Sequence, residues 1–338
     1  MKLFRISLLL FCAILFSSCI AEWGDRKCQG DFTLFFEYRA FGNHNSVALF
    51  NDHVNQVTLF VFNEQGEQVH YQFIQEHQLR SGVSSRGTRA VDSPGVRLST
   101  TTGDGFIPGN KYRVVAWGNA NPARDEFYAE RIDNARIGTP DGGTPLHFGP
   151  GMTRVEAQSP EQHEFWFTFP ETVENEYEII PFSRAHIEIQ VFVVGASETP
   201  RVDLDGVADG ISFDKEVTGG RVSFGRLANI NRYTPEANPR AAQFVSYYVP
   251  LFTETTDKML EISNTAGVLQ NGEISISDVI AGINHINGSL NPIINLADTN
   301  NPVQIVPIVL EVEQGPEGDD IIVSIWVPGW VRRPVTPM

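Results

Sequence analysis

Cysteine is scarce in this chain, with three residues in 338, at positions 12, 19 and 28. Basic residues are also few, 25 Lys and Arg against 41 Asp and Glu, for a net charge of −16. The first count excludes a disulfide-dense small scaffold. The second excludes broad contact with nucleic acid, because phosphate neutralisation needs a clustered basic surface. Long apolar runs are missing as well. The nearest approach, residues 6–16, is eleven residues long, short of the ~20 that span ~30 Å of hydrocarbon as a helix.

What is present at the N-terminus is an ordered signal. Lys2 and Arg5 precede the apolar run, and Ser17, Ser18 and Cys19 follow it, the basic, apolar and small-residue order of a secretory signal. A Cys directly after the small residues resembles a bacterial lipobox. In that motif the thiol is diacylated, cleavage falls between Ser18 and Cys19, and the new amine is often acylated too. The alternative is an ordinary signal peptide with a chance Cys, which Phe16 keeps open, since the common lipobox has Leu there. Two or more acyl chains, at ~0.8 kcal/mol per buried CH₂, anchor a protein stably where one does not. Removal of residues 1–18 takes Lys2 and Arg5 away, leaving 23 basic against 41 acidic residues and a net charge of −18. With Cys12 removed and Cys19 acylated, Cys28 has no intramolecular partner.

The mature length of 320 residues exceeds the ~250–300 at which single cores stop growing, which points to two domains. Period-two alternation runs through 32–38, 57–62, 69–73, 111–117, 127–132 and 164–169 in the first half. In the second it runs through 185–194, 243–252, 259–263, 303–313 and 321–327. Residues 63–67 contain Gly66 and read as a hairpin turn. Pro307 points to an edge position or a bulge. Only 277–287 reads as a helix, with Ser277 or Asp278 as N-cap. Residues 78–96, rich in Ser, Gly and Arg, read as an exposed, mobile loop. The expected fold class is therefore all-β, with two tandem antiparallel sandwiches. The boundaries are 1–18 signal peptide, 19–30 lipidated tether, 31–180 N-terminal sandwich and 181–338 C-terminal sandwich. Trp117 and Trp326 are the expected core residues of the two sandwiches.

Catalytic constellations are hard to find. The eight histidines, at 44, 53, 70, 77, 147, 163, 186 and 285, form no pair at metal-ligand spacing, and each reads as an isolated surface or half-buried residue. Gly220, Ser223 and Gly225 miss the nucleophile-elbow spacing by one residue and read as a turn. Gly103, Gly105 and Gly109 are too widely spaced for a dinucleotide loop. Asp203, Asp205 and Asp209 alternate as Ca²⁺ ligands can, but the full loop pattern is missing and a solvated acidic turn is the better reading. Phe165, Trp166, Phe167 and Phe169 suit a sugar platform, although strand alternation favours core plus one exposed face. No catalytic, metal-binding or cofactor-binding residue is assigned, and no cofactor is expected.

The ordered features together resemble the FimB-like fimbrial anchor lipoproteins of Bacteroidales. They are Cys19, then Asp25 and Cys28, the aromatic segment 32–38, Val57-Thr58-Leu59-Phe60-Val61-Phe62-Asn63 before a Gly turn, and Tyr112-Arg113-Val114-Val115-Ala116-Trp117-Gly118. Leu146-His147-Phe148-Gly149, Phe182-Ser183-Arg184-Ala185-His186-Ile187 and Ile321-Ile322-Val323-Ser324-Ile325-Trp326-Val327 complete the set. Asn63, where the family often has Asp, and the insert at 78–95 depart from the pattern. The resemblance implies two transthyretin-like sandwiches and an outer-membrane lipid anchor at Cys19. It further implies a surface-exposed, non-catalytic role at the base of a fimbrium (pilus), holding a shaft subunit through β-strand contacts and limiting shaft length. Two alternatives stay open: a surface lipoprotein acting as a binding module or adhesin for glycan or a host ligand, and a shaft or tip subunit.

Overall fold

The structure is a computed structural model that describes residues 31–38, 47–81, 94–99, 105–123, 127–138, 143–144, 146–149, 164–171, 176–214, 216–235, 239–250, 258–286, 305–327 and 333–334. The chain is mostly β, with strands in an eight-stranded and a twelve-stranded sheet among these residues.

The first half builds β1 (Asp31–Tyr38), α1 (Val47–His53), β2 (Val57–Asn63), β3 (Gln68–Ile74), α2 (Glu76–Ser81), β4 (Gly95–Ser99) and β5 (Lys111–Gly118). It continues with β6 (Phe127–Tyr128), β7 (Arg136–Gly138), β8 (His147–Gly149), β9 (Phe165–Thr168) and β10 (Glu176–Arg184). The eight-stranded sheet has the order β3-β2-β5-β8-β10-β1-β4, with β9 also beside β5. It folds over on itself where Ser183 and Arg184 of β10 pair with β8. The layer β4-β1-β10 thus faces the layer β3-β2-β5-β9, and aromatic side chains fill the space between. Phe32 stacks on Phe167 with centroids 4.3 Å apart, and Phe36 meets Phe182 and the α1 residue Phe50 at 5.4 and 5.7 Å. The β2–β3 hairpin turns at Gly66, whose φ of 76° is one that a side chain resists.

The second half supplies β11 (His186–Val194), β12 (Arg201–Ser212), β13 (Val217–Leu227), β14 (Ile230–Tyr233), β15 (Ala241–Pro250) and β16 (Met259–Asn264). After these come β17 (Gly267–Ser275), α3 (Ile276–Ile286), β18 (Ile305–Gln314), β19 (Asp320–Trp326) and β20 (Arg333–Pro334). One layer runs β14-β15-β11-β18-β19 and the other β17-β16-β12, with β13 also on β12. Ile187, Ile189, Val191, Leu204, Tyr247, Leu260, Ile308 and Leu310 form the core between them.

The sheets are not purely antiparallel. β1 runs parallel to β10 over seven residue pairs, and β11 parallel to β18 over seven. Pro307 lies in a central strand rather than an edge strand. It sits opposite Gln190 of β11, and the antiparallel partner β19 engages β18 only from Val309 onward. On that side the missing N–H of Pro307 leaves no gap in the ladder.

Other local expectations are corrected. The helix α3 starts at Ile276, and the Ser275 hydroxyl, not Ser277 or Asp278, accepts the Asp278 N–H at 3.3 Å as its cap. The segment expected as a loop is structured at both flanks: α2 buries Leu79, and β4 pairs with β1. Residues 82–93 between them lie outside the described residues. Residues 129–132, read as strand, enter a 3-10 turn at Ile132–Asn134.

The two sheet systems share a third apolar cluster. The outward side chains of the first sandwich, Phe60, Phe62, Val115 and Trp117, meet Ile132 and Ile137 of the β6–β7 segment and Ile211 and Phe213 from the end of β12. The β6–β7 hairpin, though early in sequence, hydrogen-bonds into the second sheet through Ile137 opposite Ile211.

Candidate functional site

Ser18 and Cys19, the expected cleavage and lipid-attachment residues, lie outside the described residues, as do Cys12 and Cys28. The aspartates suspected of forming an acidic turn are in strand β12. Arg201 Nε donates to both oxygens of Asp203, at 3.0 and 2.8 Å, and the Ser223 hydroxyl donates to Asp205. Gly220, Ser223 and Gly225 lie along strand β13, not in a turn. Gly105 and Gly109, both at positive φ, precede β5 and are followed by no helix. Among the described residues no group of three His, Cys, Asp or Glu side chains is placed to hold a metal ion, and no helix is long and apolar enough to cross a membrane.

Three of the histidines read as isolated are brought together. His147 on β8 and His186 at the start of β11 are buried, with ring centroids 5.3 Å apart. Tyr38 extends the row, its centroid 5.4 Å from that of His147 and 4.7 Å from that of His53, while Tyr248 lies 5.1 Å from His186 on the other side. The row crosses from the first sheet into the second. Its hydrogen bonds are fixed: the Tyr38 hydroxyl is 3.1 Å from His147 Nδ1, and His186 Nδ1 is 2.7 Å from the Leu146 carbonyl. A carbonyl only accepts, so His186 Nδ1 carries the proton.

Burial and the neighbouring Arg184 guanidinium set the charge states. His186 is pushed down to about 3, by burial first and Arg184 second. His147 is held well below the ordinary imidazole value by burial, then by His186, His53 and Arg184. His53, less buried, is lowered by desolvation and Arg184, and burial pushes the Tyr38 phenol up to about 12. With one cation already present and little water, the histidines stay neutral. The sequence signal for this cluster is the apolar setting of Leu146-His147-Phe148 and Ala185-His186-Ile187, whereas the mutual contact depends on long-range pairing.

The other feature is an open sheet edge. β14 pairs with β15 from Ile230 opposite Phe244 to Tyr233 opposite Ala241, and its far side meets no strand among the described residues. All four of its residues are exposed, Tyr233 at 72%, and Leu227 just before it is exposed too. Edge strands are normally blunted by short length, charged side chains, proline or a bulge. β14 is short, at four residues, but has no lysine or proline, and its one charged side chain, Arg232, lies over the Phe244 ring at 4.1 Å. A row of main-chain groups flanked by apolar side chains suits addition of a further strand.

The family model of the fimbrillin-A associated anchor proteins Mfa1 and Mfa2 matches residues 25–334. The chain belongs to this Mfa2 anchor family. Among solved structures, the chain is similar to a putative adhesin from Bacteroides thetaiotaomicron at 11% identity and a TM-score of 0.58, covering 93% of this chain and 100% of that one. It is also similar to a protein of that organism described as putatively polysaccharide binding, at 13% identity and a TM-score of 0.56, covering 91% and 99%. The fimbrial anchor protein Mfa2 from Porphyromonas gingivalis is similar at 14% identity and a TM-score of 0.51, covering 90% and 98%. These likenesses establish a shared fold. No curated protein sequence matches the chain. As a member of the anchor family the protein is a fimbrium-associated surface protein, consistent with an edge such as β14.

Proposed function

We propose that this member of the Mfa2 family is a non-catalytic lipoprotein of the outer membrane that holds the base of a fimbrial shaft and limits its length. Membership over residues 25–334 carries the reading, and the lipobox-like Ser17-Ser18-Cys19 supplies the tether. The division into a tether at 19–30 and domains at 31–180 and 181–338 belongs to the same reading, with β10 carrying the first sheet on to Arg184. A shaft subunit would join by strand addition, in which main-chain hydrogen bonds give affinity and alternate side-chain pockets give register. The exposed edge of β14 supports that mode.

Cys19→Ser is expected to move the protein from the membrane to the soluble fraction, because no acyl chain then remains. A variant that still pelleted with outer membrane after a salt wash would remove the lipoprotein reading. Deleting the gene is expected to leave shaft subunits in production while fimbriae lengthen and shed into the medium, as seen by electron microscopy. Normal, cell-attached fimbriae would instead favour the second reading, a ligand-binding adhesin, for which the fold shared with proteins described as adhesin and polysaccharide-binding speaks.

A further inference from the structure

We propose that the open cleft beside Trp166 is a binding site for neutral oligosaccharides. The cleft encloses about 490 Å³ and is lined by Glu64, Lys111, Trp166, Phe167 and Thr168, a size ordinary for small-ligand sites of roughly 300–1,000 Å³.

Strand alternation places the groups. Phe165 and Phe167 of β9 turn into the sandwich core, so Trp166 and Thr168 face outward. Their antiparallel partners across β5 are Arg113 and Lys111. Trp166 remains 41% exposed, so part of its indole ring is open to contact with a ligand.

The indole is also held in place. Its Nε1–H donates to Glu164 Oε2 at 2.7 Å, Glu164 Oε1 lies 3.0 Å from Arg113 Nη1, and Arg113 Nη2 lies 2.5 Å from Asp214 Oδ1 in the β12–β13 turn. The Arg113 side chain is 7% exposed, so the chain of contacts is rooted in a buried cation. An exposed indole fixed this way loses little further freedom when a ligand stacks on it, which is the advantage of preorganisation. By contrast, the Glu64, Lys111 and Thr168 side chains have no hydrogen-bond or ion-pair partner among the described residues.

That combination matches the two chemistries of a pyranose ring. The apolar C–H face packs on the indole, while vicinal hydroxyls donate to the Glu64 carboxylate and accept from the Lys111 ammonium and the Thr168 hydroxyl. One carboxylate and one ammonium balance on the flanks, with Glu164 adjoining and a net charge of −16 for the chain. Anionic sugars and phosphorylated ligands are thereby disfavoured.

The test uses the full mature protein in detergent, titrated with cellohexaose, maltohexaose, mannohexaose and galactohexaose while tryptophan fluorescence and heat are recorded. The expected result is saturable binding of at least one of them with a Kd near ~1 mM or tighter, a site about nine-tenths filled at ~10 mM sugar. Trp166→Ala should weaken that binding at least about tenfold and Trp166→Phe by less, with the circular dichroism melt unchanged in both. Lys111→Ala and Glu64→Gln should each weaken binding without altering the melt. No binding of any of the four sugars at ~10 mM, or binding that Trp166→Ala leaves unchanged, would overturn the proposal. So would a concentration-dependent dimer in sedimentation that Trp166→Ala abolishes, since a second copy would then be the occupant. None of these outcomes depends on fimbrial length or attachment.

Discussion

Trp117→Ala is expected to lower stability by about 3–5 kcal/mol, the usual loss when a buried tryptophan is truncated, and to do so for both sheet systems together. Sequence alternation alone makes Trp117 a core residue of the first sandwich. The side chain is fully buried, but its cluster is the shared one, with Phe148 at 5.0 Å and Phe213 at 6.0 Å. Phe213 follows β12, so the cavity left by alanine opens against residues of the second half. Urea unfolding followed by near-ultraviolet and far-ultraviolet dichroism should show the loss on every transition present. Trp117→Phe should cost less than Trp117→Ala, because a ring is kept, the cavity left is smaller, and a buried indole N–H with no partner among the described residues is removed. Trp326→Ala provides the comparison. Trp326 packs with Phe192, Phe244 and Val309 on the outer face of the second sandwich, remote in the fold from Phe213. A transition that Trp117→Ala leaves unchanged, above all one that Trp326→Ala lowers, would refute a shared cluster.

The contrast between these two tryptophans shows what the chain makes legible. Period-two alternation and dense apolar residues locate strands well, as in β2, β5, β11 and β19, and the observed bounds of those strands lie within a residue or two of the pattern. They fail where small and polar residues occupy the strand. β12 reads as an acidic turn because Asp203, Asp205 and Asp209 alternate along it, yet Arg201, two residues away on the same strand, pairs with Asp203, and Ser223 of β13 donates to Asp205 from across the sheet. β4 is hidden beside a polar stretch, and its Gly95 is required because an added Cβ would sit 2.3 Å from the Leu34 carbonyl oxygen. Face, as opposed to strand, is less legible still. Both tryptophans are buried as alternation predicts, but which of two buried faces each occupies depends on what the far half of the chain lays over it. The same holds for the candidate sites: Trp166 is visible as the outward residue of an aromatic strand, whereas its Glu64 and Lys111 flanks come together only through the β2–β3 turn and the β5–β9 pairing. The family resemblance, carried by an ordered set of segments, was legible without any of these contacts.

Acid is expected to loosen the protein through His186 and His147 at pH values where its carboxylates remain largely charged. In the unfolded chain an imidazole titrates near pH ~6.5, while in the fold His186 is pushed down to about 3 and His147 shifts in the same direction. Below ~6.5 the unfolded state therefore binds protons that the folded state refuses, and stability falls as pH falls. The stabilising contribution is complete above the unfolded value and is lost progressively down to the folded one. For His186 alone the slope is about 1.4 kcal/mol per pH unit, giving a loss of about 2 kcal/mol between pH 7.5 and 5 and about 3 by pH 4. The charge has nowhere to go: Arg184 already occupies the junction, His53 and His147 are its other titratable neighbours, and the carboxylates Asp52 and Glu188 act on the outer members of the row, His53 and Tyr248, and not on His186 or His147. His186→Gln keeps a donor for the Leu146 carbonyl and cannot titrate. Its unfolding free energy, measured by urea at pH 7.5, 6 and 5, should therefore converge on that of the unsubstituted protein as pH falls, by about 2 kcal/mol over that span. Titration of the 41 acidic residues is common to both proteins and cancels in the difference. Two pH profiles that stayed parallel would mean that His186 is not held neutral in the fold.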